Sequence, residues 1–118
     1  MISRRVPQLG EIWHVNGDPV EGRKSHYYLV ISRRELVAAL GTAVCIPVTS
    51  GGGASRSSAV AVYLDGSSTD TGSVTGVALC YQLRSLDLTA RKVSFAAKVE
   101  SHVMDEILSM VVDLIDPR

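Results

Sequence analysis

The run Val44-Cys45-Ile46-Pro47-Val48-Thr49-Ser50 ends at three consecutive glycines, Gly51 to Gly53, and this junction constrains the chain more than any other stretch. The run is apolar on both faces and rich in β-branched residues. It is long enough for a strand and too short for an ordinary helix, so it predicts a strand deep in a sheet. Pro47 has no N–H to give a ladder and predicts an edge, a bulge or a bend at that point. Thr49 and Ser50 then stand where the strand reaches a surface. The glycines let the backbone approach whatever binds there. A flexible hairpin loop is the plainer reading of the same residues.

The rest of the chain reads as short strands and one helix. Gly10 to Val15 alternates, with Ile12 and His14 on one face and Trp13 and Val15 on the other. Asn16-Gly17-Asp18-Pro19 breaks it with turn chemistry, and Val20 to Ser25 reads as a polar loop. His26 to Ser32 resumes as a strand, with Tyr27, Leu29 and Ile31 opposite His26, Tyr28 and Val30. Arg33 to Leu40 predicts one or two helical turns stopped by Gly41. Ala59 to Leu64 alternates, Asp65 to Gly72 reads as a surface loop, and Val74 to Gln82 is a second dense apolar strand interrupted by Gly76. Ser85 to Ala90 is turn-like, and Arg91 to Ala96 predicts one more strand. From Ser101, read as an N-cap, Val103, Met104, Ile107, Leu108, Val111, Leu114 and Ile115 recur at helical spacing until Pro117. Five or six short strands and one amphipathic helix make a mainly β chain with α, a small barrel or half-barrel with a helix laid over it.

The length of 118 residues predicts one domain spanning 1–118. No apolar run approaches the ~20 residues that span a bilayer. The charged N-terminus, Met1-Ile2-Ser3-Arg4-Arg5, has no apolar segment behind it, so no signal peptide is expected and the protein is read as cytoplasmic. Cys45 and Cys80 fall in apolar runs and read as reduced core residues. Three scattered histidines and no Cys-x-x-Cys argue against a zinc site, and no cofactor is expected. Net charge is zero but uneven. Arg4, Arg5, Arg23, Lys24, Arg33 and Arg34 stand early against Glu11, Asp18 and Glu21. Glu100, Asp105, Glu106, Asp113 and Asp116 stand late against Arg118. One end is suited to a polyanion and the other repels it.

Several of these stretches together resemble the MazF/PemK/Kid toxins. They are Gly10-Glu11-Ile12-Trp13, Asp18-Pro19, Leu29-Val30-Ile31-Ser32, Ile46-Pro47-Val48-Thr49-Ser50-Gly51-Gly52 and Gly76 through Asp87, in the family's order. The resemblance implies an SH3-like, CcdB/PemK-type barrel with a C-terminal helix, working as a homodimer. It implies a toxin of a type II toxin–antitoxin system: a sequence-selective, metal-independent endoribonuclease cutting single-stranded RNA. It also implies a cognate antitoxin whose C-terminal segment occupies the RNA groove. A CcdB-like gyrase poison or a catalytically weakened binding module is the alternative, though the Pro47 to Gly52 strand end is foreign to CcdB-like chains.

Cleavage without metal uses the ribose 2′-hydroxyl as nucleophile, a base, an acid, and donors or a cation for the phosphorane. By the resemblance, Thr49 matches the family hydroxyl, with Ser50, Gly51 and Gly52 beside it. His26 stands where many members have an Arg, and Tyr27 where they have a Pro. Histidine titrates near neutrality but is a poorer fixed cation, so Arg23 or Lys24 is expected to supply charge. The Asp18–His26 connection is a few residues shorter than the family implies. Leu79 and Tyr81 replace an Arg and an Asp that Kid-like members use in catalysis. Tyr81 is left to stack on a base, Arg56 and Arg84 are further RNA-binding candidates, and Arg84 has Asp87 as an alternative partner. Arg91 also matches a position that is basic in relatives.

Overall fold

Among the residues that the computed structural model describes (5–18, 23–49, 60–89 and 92–116), seven strands and two helices follow one another. They are β1 (Glu11–Asp18), β2 (Arg23–Val30), α1 (Arg34–Leu40), β3 (Ala43–Thr49), β4 (Ala61–Leu64), β5 (Gly76–Leu79), β6 (Arg84–Leu86), β7 (Val93–Lys98) and α2 (Ser101–Ile115). The strands form one antiparallel sheet in the order β4-β5-β3-β2-β1-β7, with β6 also on β3. Of residues 17–18 and 23–26, only the strand placement enters the description.

Period-two alternation sorts the side chains onto two faces. Ile12, Leu29, Ile46, Val48, Val62 and Ala78 face α2, which covers them with Val103, Met104, Ile107 and Val111. Trp13, Val15, Tyr28, Val30 and Cys45 face the other way and pack with Val37 of α1 and with Leu88. The faces follow the predicted alternation of β1 and β2. Gly41, at φ +77°, donates to the Val37 carbonyl and stops α1 as expected.

The predicted edge, bulge or bend at Pro47 is a break in the neighbouring strand. The Ile31 N–H donates to the Val44 carbonyl at 2.9 Å, and ladder bonds alternate between the two sides of a strand. Cys45, Pro47 and Thr49 therefore turn their backbone groups away from β2, toward β5 and β6. Thr49 pairs with Val77 and Val48 with Ala78, so the next step sets Leu79 opposite Pro47. Pro47 has no N–H for the Leu79 carbonyl. That carbonyl accepts from Gln82 N at 3.1 Å instead, which closes a turn. Pairing resumes only at Arg84, opposite Cys45. The expected single strand from Val74 to Gln82 is thus β5, a turn through Tyr81, Gln82 and Leu83, and then β6 in place of a turn-like segment.

Other expectations are corrected in the same backbone terms. Asn16 to Asp18 does not end β1, and Arg23 to Ser25 is not loop. The pairs Asn16↔Ser25 and Asp18↔Arg23 continue the hairpin, because a ladder needs backbone groups and no apolar side chains. The short connection leaves only 19–22 between the strands. Ser101 is the first helical residue, not the cap: the Glu100 carbonyl already accepts from Val103 and Met104 at 3.0 Å each. The last turn of α2 overhangs the sheet, leaving Val112, Leu114 and Ile115 exposed where the pattern put Leu114 and Ile115 in the core.

The sheet does not close on itself through a ladder between β4 and β7 among the described residues. The 65–72 loop spans that gap, so it is more than a surface loop. Thr69 bridges to Val99, Asp70 N donates to the Lys98 carbonyl at 2.9 Å, and Lys98 N donates to Asp70 Oδ1 at 3.0 Å. Ser68 and Thr69 are buried in consequence. A Cβ on Gly72, at φ +70°, would lie 2.8 Å from the Gly66 carbonyl oxygen, so the loop requires glycine there.

Glu11 is a charged residue almost wholly enclosed, 2% exposed. Its carboxylate accepts from Gln8 N at 3.0 Å and Trp13 Nε1 at 3.1 Å and pairs with Arg5. Arg5 in turn lies 4.3 Å over the Phe95 ring, whose edge meets Trp13. This network is the physical content of the Gly10-Glu11-Ile12-Trp13 stretch. Glu11→Ala strands the buried indole and amide donors, and an unmet buried donor costs about 1–3 kcal/mol. A loss of about 2–4 kcal/mol in denaturant unfolding is expected.

Cys45 and Cys80 are buried and free, as expected. Burial pushes the Cys45 thiol up to about 12 and Cys80 to about 11, the latter with help from Glu106. Both stay protonated at neutral pH and are poor nucleophiles. Thiols in the unfolded chain ionise near 9, so the folded state holds protons that the unfolded state releases above that pH. Stability is therefore intact below about pH 9 and declines as pH rises toward 12. A double Cys45→Ala/Cys80→Ala variant is expected to show a shallower alkaline decline in its melting temperature.

Candidate active site

β3 carries Thr49 from the core to the rim of the sheet. Thr49 is half-buried, and its Oγ1 is buried with no hydrogen-bond partner among the described residues. A buried hydroxyl left unpaired costs on the order of 1–3 kcal/mol, and such an atom is suited to a ligand that brings an acceptor or donor. The ladder between β2 and β3 ends at the pair Tyr27↔Val48. One further step on each strand brings His26 level with Thr49. On its other side His26 pairs with Val15 of β1. The two segments singled out by sequence therefore meet at one end of adjacent strands.

The remaining candidates disperse from this point. Arg23 and Lys24 lie on β2, with Arg23 three residues beyond His26, about 10 Å along the strand. Tyr81 is 48% exposed in the turn forced by Pro47, and Gln82 Nε2 donates to its Oη at 3.1 Å. Arg84 is half-buried opposite Cys45, at the far half of β3 and about 13 Å along it from Thr49. Ser50, Gly51, Gly52, Arg56 and Arg91 lie outside the described residues. Leu79, standing where Kid-like chains have an Arg, is buried with Ala61 and Val77.

Two aromatic features escaped the sequence reading, the first on the sheet face opposite Thr49 and the second on its own face. His14 and Tyr27 are cross-strand partners whose rings lie 4.9 Å apart at 55°, with Tyr27 37% exposed. Tyr63 on β4 is 60% exposed and pairs with Val77, which pairs with Thr49. The alternation of β4 was legible, but only the register sets Tyr63 in the row of Thr49.

A cleft of ≈ 460 Å³ lies elsewhere, floored by Leu9, Met104 and Leu108. Its rim holds Asp70, Glu100 and Asp105 against Lys98, a poor setting for a polyanion. It borders Gly10, whose N–H bonds the Val30 carbonyl, and so sits at the opposite end of β2 from His26. No group of three or more His, Cys, Asp or Glu able to hold a metal ion occurs among the described residues.

Residues 8–115 match the family described as PemK-like, MazF-like toxin of type II toxin–antitoxin system. The chain is 35% identical over 104 residues to Endoribonuclease PemK of Escherichia coli, covering 86% of this chain and 76% of that protein. The crystal structure of MazF from Deinococcus radiodurans superposes with a TM-score of 0.77 at 25% identity, covering 95% of this chain and 98% of that one. A MazE–MazF structure from the same organism gives 0.77 at 26% identity over 94% and 97%.

Proposed function

The chain belongs to the PemK-like, MazF-like toxin family of type II toxin–antitoxin systems, and from that membership we propose how its site works. It is an endoribonuclease of that family. The reaction is metal-independent, sequence-selective cleavage of single-stranded RNA. The ribose 2′-hydroxyl attacks the adjacent phosphorus, the bond to the 5′ oxygen breaks, and a cyclic phosphate and a 5′-hydroxyl result. The buried Thr49 hydroxyl at the end of β3, without a partner among the described residues, carries this reading. It donates to a phosphate oxygen as charge builds there.

His26, level with Thr49 by register, is the titrating group that moves a proton to or from the reacting oxygens. Arg23 and Lys24, further along β2, supply the fixed positive charge that a histidine lacks. Ser50, Gly51, Gly52, Arg56, Tyr81 and Arg84 extend the grip on the RNA. The whole chain acts as one toxin domain in the cytoplasm. No helix among the described residues is long and apolar enough to cross a membrane.

The toxin works as a homodimer restrained by a cognate antitoxin. The exposed Val112, Leu114 and Ile115 at the end of α2 support apolar partner contacts. The MazE–MazF complex of the Deinococcus relative supports the antitoxin.

Thr49→Val removes, at nearly constant shape, a buried hydroxyl that is unpaired among the described residues. Its melting temperature is expected to hold or rise, while RNA cleavage falls by about 10²-fold or more. His26→Ala is expected to lose about 10²–10⁴-fold, and both variants should relieve growth arrest on expression. Full toxicity in both would place the chemistry elsewhere. Cleavage of a long RNA by the purified protein is expected to persist in excess chelator; activity that returns only with added magnesium would refute the mechanism.

A further inference from the structure

We propose that Tyr63 is a stacking platform for a base flanking the scissile phosphate, and so a substrate-binding residue of this ribonuclease. The proposal rests on the reading of Thr49 as a phosphate-binding group. In an antiparallel sheet, directly paired residues project from the same face. Thr49 pairs with Val77 and Val77 with Tyr63, so the three form one row on one face across β3, β5 and β4. Two strand spacings of about 4.8 Å separate Thr49 from Tyr63, within reach of the base next to a phosphate held at Thr49.

The row is built for that purpose. Val77 between them is 1% exposed and offers no competing polar group, whereas Tyr63 is 60% exposed. Among the described residues β4 is an end strand, so a nucleotide can approach the ring without displacing a neighbouring strand. Tyr63 is the exposed residue of β4, whose Ala61, Val62 and Leu64 are all buried. A large aromatic ring left in water on a short strand, in line with a buried hydroxyl that has no partner among the described residues, is suited to covering by a ligand. An aromatic ring stacks on any base, and one stack contributes about 1–3 kcal/mol, so its loss reads as roughly a fivefold to hundredfold change in affinity.

The test uses full-length wild type, Tyr63→Ala and Tyr63→Phe, each checked for folding by thermal melt. Binding is measured on an RNA carrying a 2′-deoxyribose at the cut position, and cleavage on its all-ribose counterpart. Tyr63→Ala is expected to raise Kd and KM by about fivefold or more and to leave the single-turnover rate at saturating RNA unchanged. Tyr63→Phe should match wild type. Unchanged binding by Tyr63→Ala overturns the proposal. So does a change in its sedimentation, which would make Tyr63 a contact between copies, or a Tyr63→Phe variant as weak as Tyr63→Ala. Wild type that binds the deoxy-substituted RNA but cuts no ribose counterpart defeats the nuclease reading while the binding comparison still decides Tyr63. Wild type that does neither defeats both.

Discussion

A missing hydrogen-bond donor shapes the middle of the sheet. Pro47 stands on the innermost strand, with its backbone turned toward β5 and β6, and cannot supply the N–H that the Leu79 carbonyl requires. A buried carbonyl does not go unpaired cheaply. Gln82 satisfies it from three residues on, and the chain must leave the ladder to do so. One residue thereby divides a long apolar strand into two, projects Tyr81 into solvent, and lets Arg84 start a separate pairing beside Cys45. The turn that carries an RNA-facing candidate is a consequence of ladder arithmetic on its neighbour.

Two side chains with buried polar atoms are treated in opposite ways by their surroundings. Glu11 is enclosed with its carboxylate fully engaged by an indole, an amide and a guanidinium, and it ties the N-terminal segment to the start of β1. Thr49, at the rim, has a hydroxyl that the described residues leave unused. The first arrangement lowers the free energy of the fold. The second raises it, and in the proposed mechanism that cost keeps a donor ready for a charge that develops only during reaction. They lie at different ends of the sheet, so the end tied down by Glu11 is opposite the end that carries the candidate site.

Much of the fold was legible because it rests on local rules. Alternation set the faces of β1, β2 and β4, and Gly41 marked the end of α1 at its positive φ. The apolar period placed α2 over the sheet. Boundaries failed where backbone pairing overrode side-chain character. Polar residues through Asp18 and from Arg23 extended a hairpin, and the Glu100 carbonyl began α2 one residue before its expected hydroxyl cap. The apolar end of α2 misled for another reason: a helix can keep its period after the sheet beneath it has ended.

The sequence by itself determined the fold class, the central strand and the buried, free cysteines, and it named a hydroxyl and a basic segment as site candidates. These follow from residue chemistry and short-range spacing, which a linear chain displays. Only the tertiary structure decided that His26 comes level with Thr49, that Arg84 lies at the far half of β3, and that Tyr63 shares a row with Thr49. Register between strands distant in sequence fixes those relations. It is set by which apolar faces must be buried together and by where Pro47 forbids a bond, and no local window of the chain contains that information.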